Sequence, residues 1–332
     1  MADNTKIEWT DATWNPIRGC SMAKGSETGG CLNCYAARDA VRFSGPGMPY
    51  EGLARMTNSG PRWTGDVVLI EHSAGDILTK PLRWRRPRRV FVNSMSDLFH
   101  ESLPFEAVDR VVAVMATAKQ HVFQVLTKRP ERMAQYLEMR GVSDHQNVVH
   151  PVDRRTITRV AWPLPNVWWG VSCENQKTLD DRMPHVIRAL PHMALAWLSA
   201  EPLLGGLNLT RWLPHARDES QTRVEFYPGL SWVVAGGESG PNARPAHPLW
   251  FQSIADQCSA AGVPFLFKQW GEWTPNDGGE SVEKIRVVPT HPNAVIDTRA
   301  VYMFRAGKSA AGRELNGRLW DEYPQPIQRE GV

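Results

Sequence analysis

Seven short runs of almost unbroken apolar residues recur along this 332-residue chain: Val67–Ile70, Val90–Asn93, Val122–Leu126, Val167–Val171, Ala194–Leu198, Trp232–Ala235 and Pro264–Phe267. A strand with one wet face alternates apolar and polar residues. Continuous hydrophobicity instead fits strands covered on both faces, as in parallel sheets. An eighth strand is expected near Ile7–Trp9 or Thr13–Trp14. Helical faces lie between several of these runs. One follows Pro104 (Val108, Val111, Val112, Met115), and a second comprises Leu179, Met183, Val186, Ile187 and Leu190. A third follows Pro248 (Phe251, Ile254, Ala255, Cys258) and stops at Gly262. Strands alternating with helices predict an α/β fold. About eight strands in this length suit a (β/α) barrel of TIM type, complete or partial, with an open doubly wound sheet as the alternative. The barrel is expected over residues 1–272, with residues 273–332 as a C-terminal extension packed on it. The stretches 44–66, 141–165, 205–229 and 274–300, rich in Pro, Gly and polar residues, read as loop insertions.

Composition narrows the setting. No stretch approaches eighteen apolar residues, so no membrane helix is expected. The first residues lack the apolar run of a signal peptide. Five cysteines, three of them clustered, do not form a secreted disulfide framework and point to a reducing cytoplasm. Net charge is only +3, which by itself implies no nucleic acid. The distribution says more: Lys80, Arg83, Arg85, Arg86, Arg88 and Arg89 surround Trp84 within ten residues. Such a segment suits a phosphate backbone, with Trp84 stacking on a base; the plainer reading is a solvated connector before the next strand.

The expected strand C-termini carry polar groups: Asn93, Ser94 and Asp97; Lys128 and Arg129; Cys173, Glu174 and Asn175; Glu201; Gly236, Gly237 and Glu238; Lys268 and Gln269. In a parallel barrel these ends share one rim, where active sites are built. Lys128, Glu201, Lys268 and Gln269 are therefore candidate catalytic residues, and Arg129 is expected to face the substrate with them. Gly236-Gly237 would let a ligand approach the backbone closely, with Glu238 accepting from its amine.

Cys20, Cys31 and Cys34 lie in one glycine-rich stretch, residues 19–35, after the expected first strand. Three thiolates are one fewer than a closed tetrahedral site needs, and an open position on a metal usually serves chemistry. Thiolates favour zinc or iron–sulfur. A closed structural site would need a fourth ligand, for which Cys173 is the candidate. The pattern lacks the acidic residue two places after an upstream His or Cys that a zinc nucleobase deaminase requires, and no Gly-x-Ser-x-Gly elbow is present.

A strand, then a three-cysteine loop ending Gly30-Cys31-Leu32-Asn33-Cys34-Tyr35, then a (β/α) barrel resembles the radical S-adenosylmethionine superfamily. The resemblance implies a [4Fe–4S] cluster on the three cysteines, with S-adenosyl-L-methionine on the fourth iron and an external electron donor. It also implies a 5′-deoxyadenosyl radical as the reactive species. More narrowly, Thr13–Pro16, Gly19-Cys20, Gly30–Ala36, Met95–Phe99, Thr127–Pro130, Ser199–Pro202, Gly236–Gly240 and Lys268–Gly271 are similar to a phage and prophage family of unassigned function. That similarity suggests a host-cytoplasm setting, a phage-encoded partner protein and modification or repair of a nucleic acid or nucleotide. Ten residues separate the first two cysteines, more than is usual in the superfamily, and Gly236-Gly237-Glu238 lies far later than the superfamily's own Gly-Gly-Glu. Tyr35, Asn93, Ser94, Asp97, Gly236, Gly237 and Glu238 are the competing cofactor-binding candidates. The alternative function is a nucleic-acid-binding phage protein with a structural zinc or iron–sulfur site.

Overall fold

The computed structural model describes residues 5–27, 29–70, 77–152, 156–216, 226–227, 229–275, 285–290 and 299–325. Seven parallel strands form its main sheet, in sheet order as in sequence: β1 (Ala12–Trp14), β2 (Arg89–Val92), β3 (Val122–Thr127), β4 (Val167–Ser172), β5 (Leu195–Ala200), β6 (Trp232–Gly236) and β7 (Phe265–Gln269). The order is linear and β1 does not pair with β7, so the fold is a partial (β/α) barrel and not a complete one. Every residue of β4, β5 and β6 is buried, which is why their sequences carry no alternation. The helices are α1 (Tyr35–Val41), α2 (Phe105–Thr117), α3 (Pro130–Arg140), α4 (Gln176–Ala189) and α5 (Pro248–Ala260).

The strand expected at Val67–Ile70 is the corrected element. Thr13-Trp14 belongs to the sheet, in β1, whereas Val67–Ile70 does not: Val68-Leu69 pairs antiparallel with Ile17-Arg18, outside the main sheet. Val68 is exposed, so this apolar run is not a strand covered on both faces. The insertion 44–66 holds a hairpin, Ala54–Thr57 with Gly60–Trp63, and 141–165 holds another, His145–Val149 with Ile157–Ala161. Much of 205–229 and 274–300 lies outside the described residues.

The chain divides into two compact units. The first (residues 1–171 and 188–195) carries β1, β2, β3 and most of β4, with α1, α2 and α3. Pro104 has the extended backbone that precedes α2, and the helix then buries Val108, Val111, Val112 and Met115. Each such side chain contributes roughly 1.5–3 kcal/mol by leaving water. The helix ends at Ala118, whose N–H still bonds Val114. In the second unit (residues 172–187 and 196–332), the chain after Arg318 lies along β7. Phe267 N donates to the Trp320 carbonyl at 2.9 Å, and Trp232 Nε1 donates to the Glu322 carbonyl at 2.9 Å. The outer edge of β7 is thereby hydrogen-bonded rather than left open. Among the described residues no helix is long and apolar enough to cross a membrane.

Candidate functional site

In the first unit the cysteine loop leaves the C-terminal end of β1 alongside the end of β2. Asn93 N donates to the Trp14 carbonyl at 2.8 Å, Ser96 Oγ donates to the Ile17 carbonyl at 2.9 Å, and Gly19 bridges Ser96 in parallel register. Gly19 has φ +86°, and a Cβ there would meet the Asp66 carbonyl oxygen at 2.1 Å. Only glycine fits where the 44–70 segment crosses the strand exit.

Cys20, Cys31 and Cys34 are each half-buried and carry free thiols. The Cys20 thiol is pushed up to about 12, first by burial and then by the Asp97 carboxylate, while Arg129 acts the other way; Cys34 and Cys31 also bear on it. Cys34 immediately precedes α1. Burial raises its thiol above the ordinary value, and the amides of Ala37 and Ala36 and the Trp63 side chain oppose that shift. The three sulfurs are thus electrostatic neighbours, and the donor set suits a soft metal or an iron–sulfur cluster. Among the described residues no three His, Cys, Asp or Glu side chains form a group that could hold a metal ion.

The four cofactor candidates from this unit fall into two kinds. Tyr35 is exposed, and its hydroxyl donates to the Ser94 carbonyl at 2.6 Å. Ser94 Oγ exchanges hydrogen bonds with the Asn15 amide at 3.1 and 3.2 Å. Asn93 is buried at φ +60°, a conformation uncommon for a residue with a side chain; its Oδ1 accepts from Ile17 N, while its buried Nδ2 has no partner among the described residues. Asp97 differs, because the protein uses its carboxylate fully. Oδ1 accepts from Phe99 N and Thr127 Oγ1, and Oδ2 accepts from Lys128 N and Arg129 Nη1.

Lys128 is half-buried, with its backbone N–H held by Asp97. Its neighbour Arg129, expected to face substrate, instead serves the cysteine loop: Nη2 donates to Ser21 Oγ at 2.8 Å and to the Ser21 carbonyl at 3.2 Å. Ser21, His100 and Glu101 escaped the sequence reading. The Ser102 N–H donates to His100 Nδ1, so the neutral ring carries its proton on Nε2 and gives it to Ser21 Oγ at 2.8 Å. Burial, then Arg129, lowers the His100 pKa and favours that neutral ring.

The second unit holds the remaining rim residues. Lys268 Nζ meets Glu201 Oε1 at 2.9 Å, and Ser199 Oγ donates to Glu201 Oε2 at 3.2 Å. Gly236 makes that pairing possible, since a Cβ there would lie 2.8 Å from Glu201 Oε1. A Cβ on Gly237 would lie 1.9 Å from the Trp270 carbonyl oxygen. The space that sequence reasoning reserved for a ligand over these glycines is therefore taken by the protein. Glu238 is likewise engaged: Oε2 accepts from Arg244 N and Nε at 2.8 Å, and Oε1 accepts from Arg244 Nη2 at 2.6 Å. Gln269 is buried, and its Oε1 has no partner among the described residues. Cys173 is fully buried, with its N–H on the Ser199 carbonyl.

The cationic segment is split. Trp84, expected to stack on a base, is only 9% exposed; its ring meets His121 edge-on, and Arg88 and Lys80 lie over it. An indole packed this way has no free face for a nucleobase. Arg89 bonds Asp11. Arg83, Arg85 and Arg86 remain exposed.

A family model described as "Protein of unknown function (DUF5131)" matches residues 4–324, and the chain belongs to that family. No curated protein matches. Among solved structures, a cysteine-to-serine mutant of spore photoproduct lyase has a TM-score of 0.40 at 11% identity, covering 92% of this chain and 71% of that one. Spore photoproduct lyase complexed with dinucleoside spore photoproduct has a TM-score of 0.36 at 10% identity, covering 87% of this chain and 66% of that one.

Proposed function

We propose that this member of the family is a radical S-adenosylmethionine-type enzyme of the cytoplasm, acting on a nucleic acid or nucleotide and reduced by an external electron donor. The observation that carries the reading is that Cys20, Cys31 and Cys34 all lie in the connection between the parallel strand β1 and α1. Cys20, Cys31 and Cys34 would hold a [4Fe–4S] cluster. The bound cluster and S-adenosyl-L-methionine would together supply a 5′-deoxyadenosyl radical able to abstract hydrogen from an unactivated carbon.

The chain's own residues then have separable tasks. Tyr35, Ser94 and the unpartnered Nδ2 of Asn93 are the cofactor-binding candidates in the first unit. Asp97 positions the loops rather than touching a ligand. Lys128, Glu201, Lys268 and Gln269 are candidate substrate contacts. Glu201 and Lys268 already pair, so a substrate would be oriented by a fixed dipole rather than by lone charges. Arg83, Arg85 and Arg86 offer phosphate contacts, with Trp84 as their packed base instead of a stacking platform.

Anaerobic iron–sulfur reconstitution, followed by dithionite, S-adenosyl-L-methionine and chromatography for 5′-deoxyadenosine, tests the reading. We expect about four irons per chain, as a [4Fe–4S] cluster requires, and 5′-deoxyadenosine lost in Cys20→Ser, Cys31→Ser and Cys34→Ser but not in Cys173→Ser. One tightly held zinc with no iron, lost in Cys173→Ser, overturns it in favour of a structural metal.

A further inference from the structure

Arg129 is 5% exposed in its side chain, and all three of its guanidinium nitrogens are engaged. Nε donates to both Glu101 oxygens at 2.8 Å, Nη1 to Asp97 Oδ2 at 3.1 Å, and Nη2 to the Ser21 carbonyl and hydroxyl at 3.2 and 2.8 Å. These bonds tie three separate stretches of the first unit: the residue after Cys20, the loop after β2 and the residue before α3. His100 Nε2 reaches the same Ser21 hydroxyl from the β2 side at 2.8 Å. Two buried groups from the loops beyond β2 and β3 thus converge on the residue that follows the first cysteine. Planar, five-donor guanidinium geometry suits this role, because a single ammonium cannot span a carboxylate pair and a backbone carbonyl together.

We infer that Arg129 is the positioning residue of the cysteine loop: it pins Ser21 against the ends of β2 and β3 and, from that position, sets a permanent positive charge against the Asp97 carboxylate next to Cys20. The first half of this inference concerns the loop alone. The second half rests on the proposed function, since it concerns a cluster on Cys20. A fixed cation beside a cluster stabilises the reduced, more negative state and so raises its reduction potential.

Amide hydrogen exchange of the metal-free full chain tests the anchor without any cofactor. In Arg129→Gln, exchange at residues 19–26, which include the Gly19 bridge to Ser96 and the Ser26 N–H on the Ala23 carbonyl, should rise roughly tenfold or more while α2 keeps its protection. Ser21→Ala, which loses only the hydroxyl contacts, should give a smaller rise confined to the same residues. Unchanged exchange there in both variants overturns the anchor, and so does an unchanged Ser21→Ala if Arg129→Gln unfolds throughout. The charge is tested on reconstituted protein by the midpoint potential of the cluster followed by electron paramagnetic resonance. Arg129→Gln should lie below wild type, with Arg129→Lys, which keeps the cation, between them. Equal potentials in all three overturn the charge role. Wild-type protein that takes up no iron would defeat the proposed function instead, and the exchange result would still decide the anchor.

Discussion

Two acid–arginine clusters end strands in the two units, and they are built on different scales. Asp97 and Arg129 are 32 residues apart and draw Ser21, Glu101, Thr127 and Lys128 into one network. Glu238 and Arg244 are six residues apart and close a single loop, with three bonds from one arginine to one carboxylate. The long-range cluster fixes where one loop sits relative to others; the local clamp fixes only its own loop's shape. That difference in span teaches which cluster bears on the cysteine loop, and it also sets how much each should matter to stability.

The largest effect is expected at Asp97→Ala. It removes the acceptor for two backbone amides, one hydroxyl and a guanidinium, leaving Arg129 buried with one carboxylate fewer. Breaking a buried pair from one side costs about 3–5 kcal/mol, to be read from denaturant unfolding. Glu238→Ala should cost less, about 2 kcal/mol, because Arg244 is 30% exposed and can turn toward water. Equal losses would break the comparison, since the local clamp would then matter as much as the long-range one. Gly236→Ala should be milder again, about 1 kcal/mol: its new Cβ would press on Glu201 Oε1, the movable end of a side chain, and displace it from Lys268. Unfolding and the separation of the Glu201–Lys268 pair in a crystal structure of the variant check that expectation together.

These contrasts also mark what is legible in the sequence. The sheet is visible there because burial on both faces leaves continuous apolar runs, and six of the seven runs named are strands of it. Val67–Ile70 misleads because four apolar residues in a row can equally be a short, half-exposed pairing. The helix after Pro104 is readable from its spacing, but Pro130–Arg140 is not; its face is mostly polar, with Met133, Ala134, Tyr136 and Leu137 buried. At the site, residue types at strand ends point to charged partners without saying who pairs with whom. Asp97 and Glu238 look free for a ligand because their partners lie in other loops or beyond a turn. Gly236-Gly237 looks like a ligand cradle because sequence shows a missing side chain and not what fills its space. Ser21, His100 and Glu101 carry no motif; only the folded contact with Arg129 singles them out.

His100 offers the finest separation of the two clusters, through pH. Burial and Arg129 lower its pKa in the folded protein below the ordinary 6.5. Above pH 6.5 the ring is neutral folded or unfolded, and its hydrogen bonds to Ser21 and Ser102 contribute in full. As pH falls below that value the unfolded chain takes up a proton that the folded ring resists, so stability declines until the lowered folded pKa is passed. Denaturant unfolding followed from about pH 7 down to about pH 5 should therefore show a fall in wild type that flattens in His100→Asn, whose amide can donate toward Ser21 and accept from Ser102 but does not titrate. Glu238→Ala should shift the whole curve down while keeping the His100 contribution to its slope. If His100→Asn leaves the slope as steep as wild type, the imidazole is not a neutral member of the Arg129 network, and the cysteine loop is held by the guanidinium and carboxylates alone.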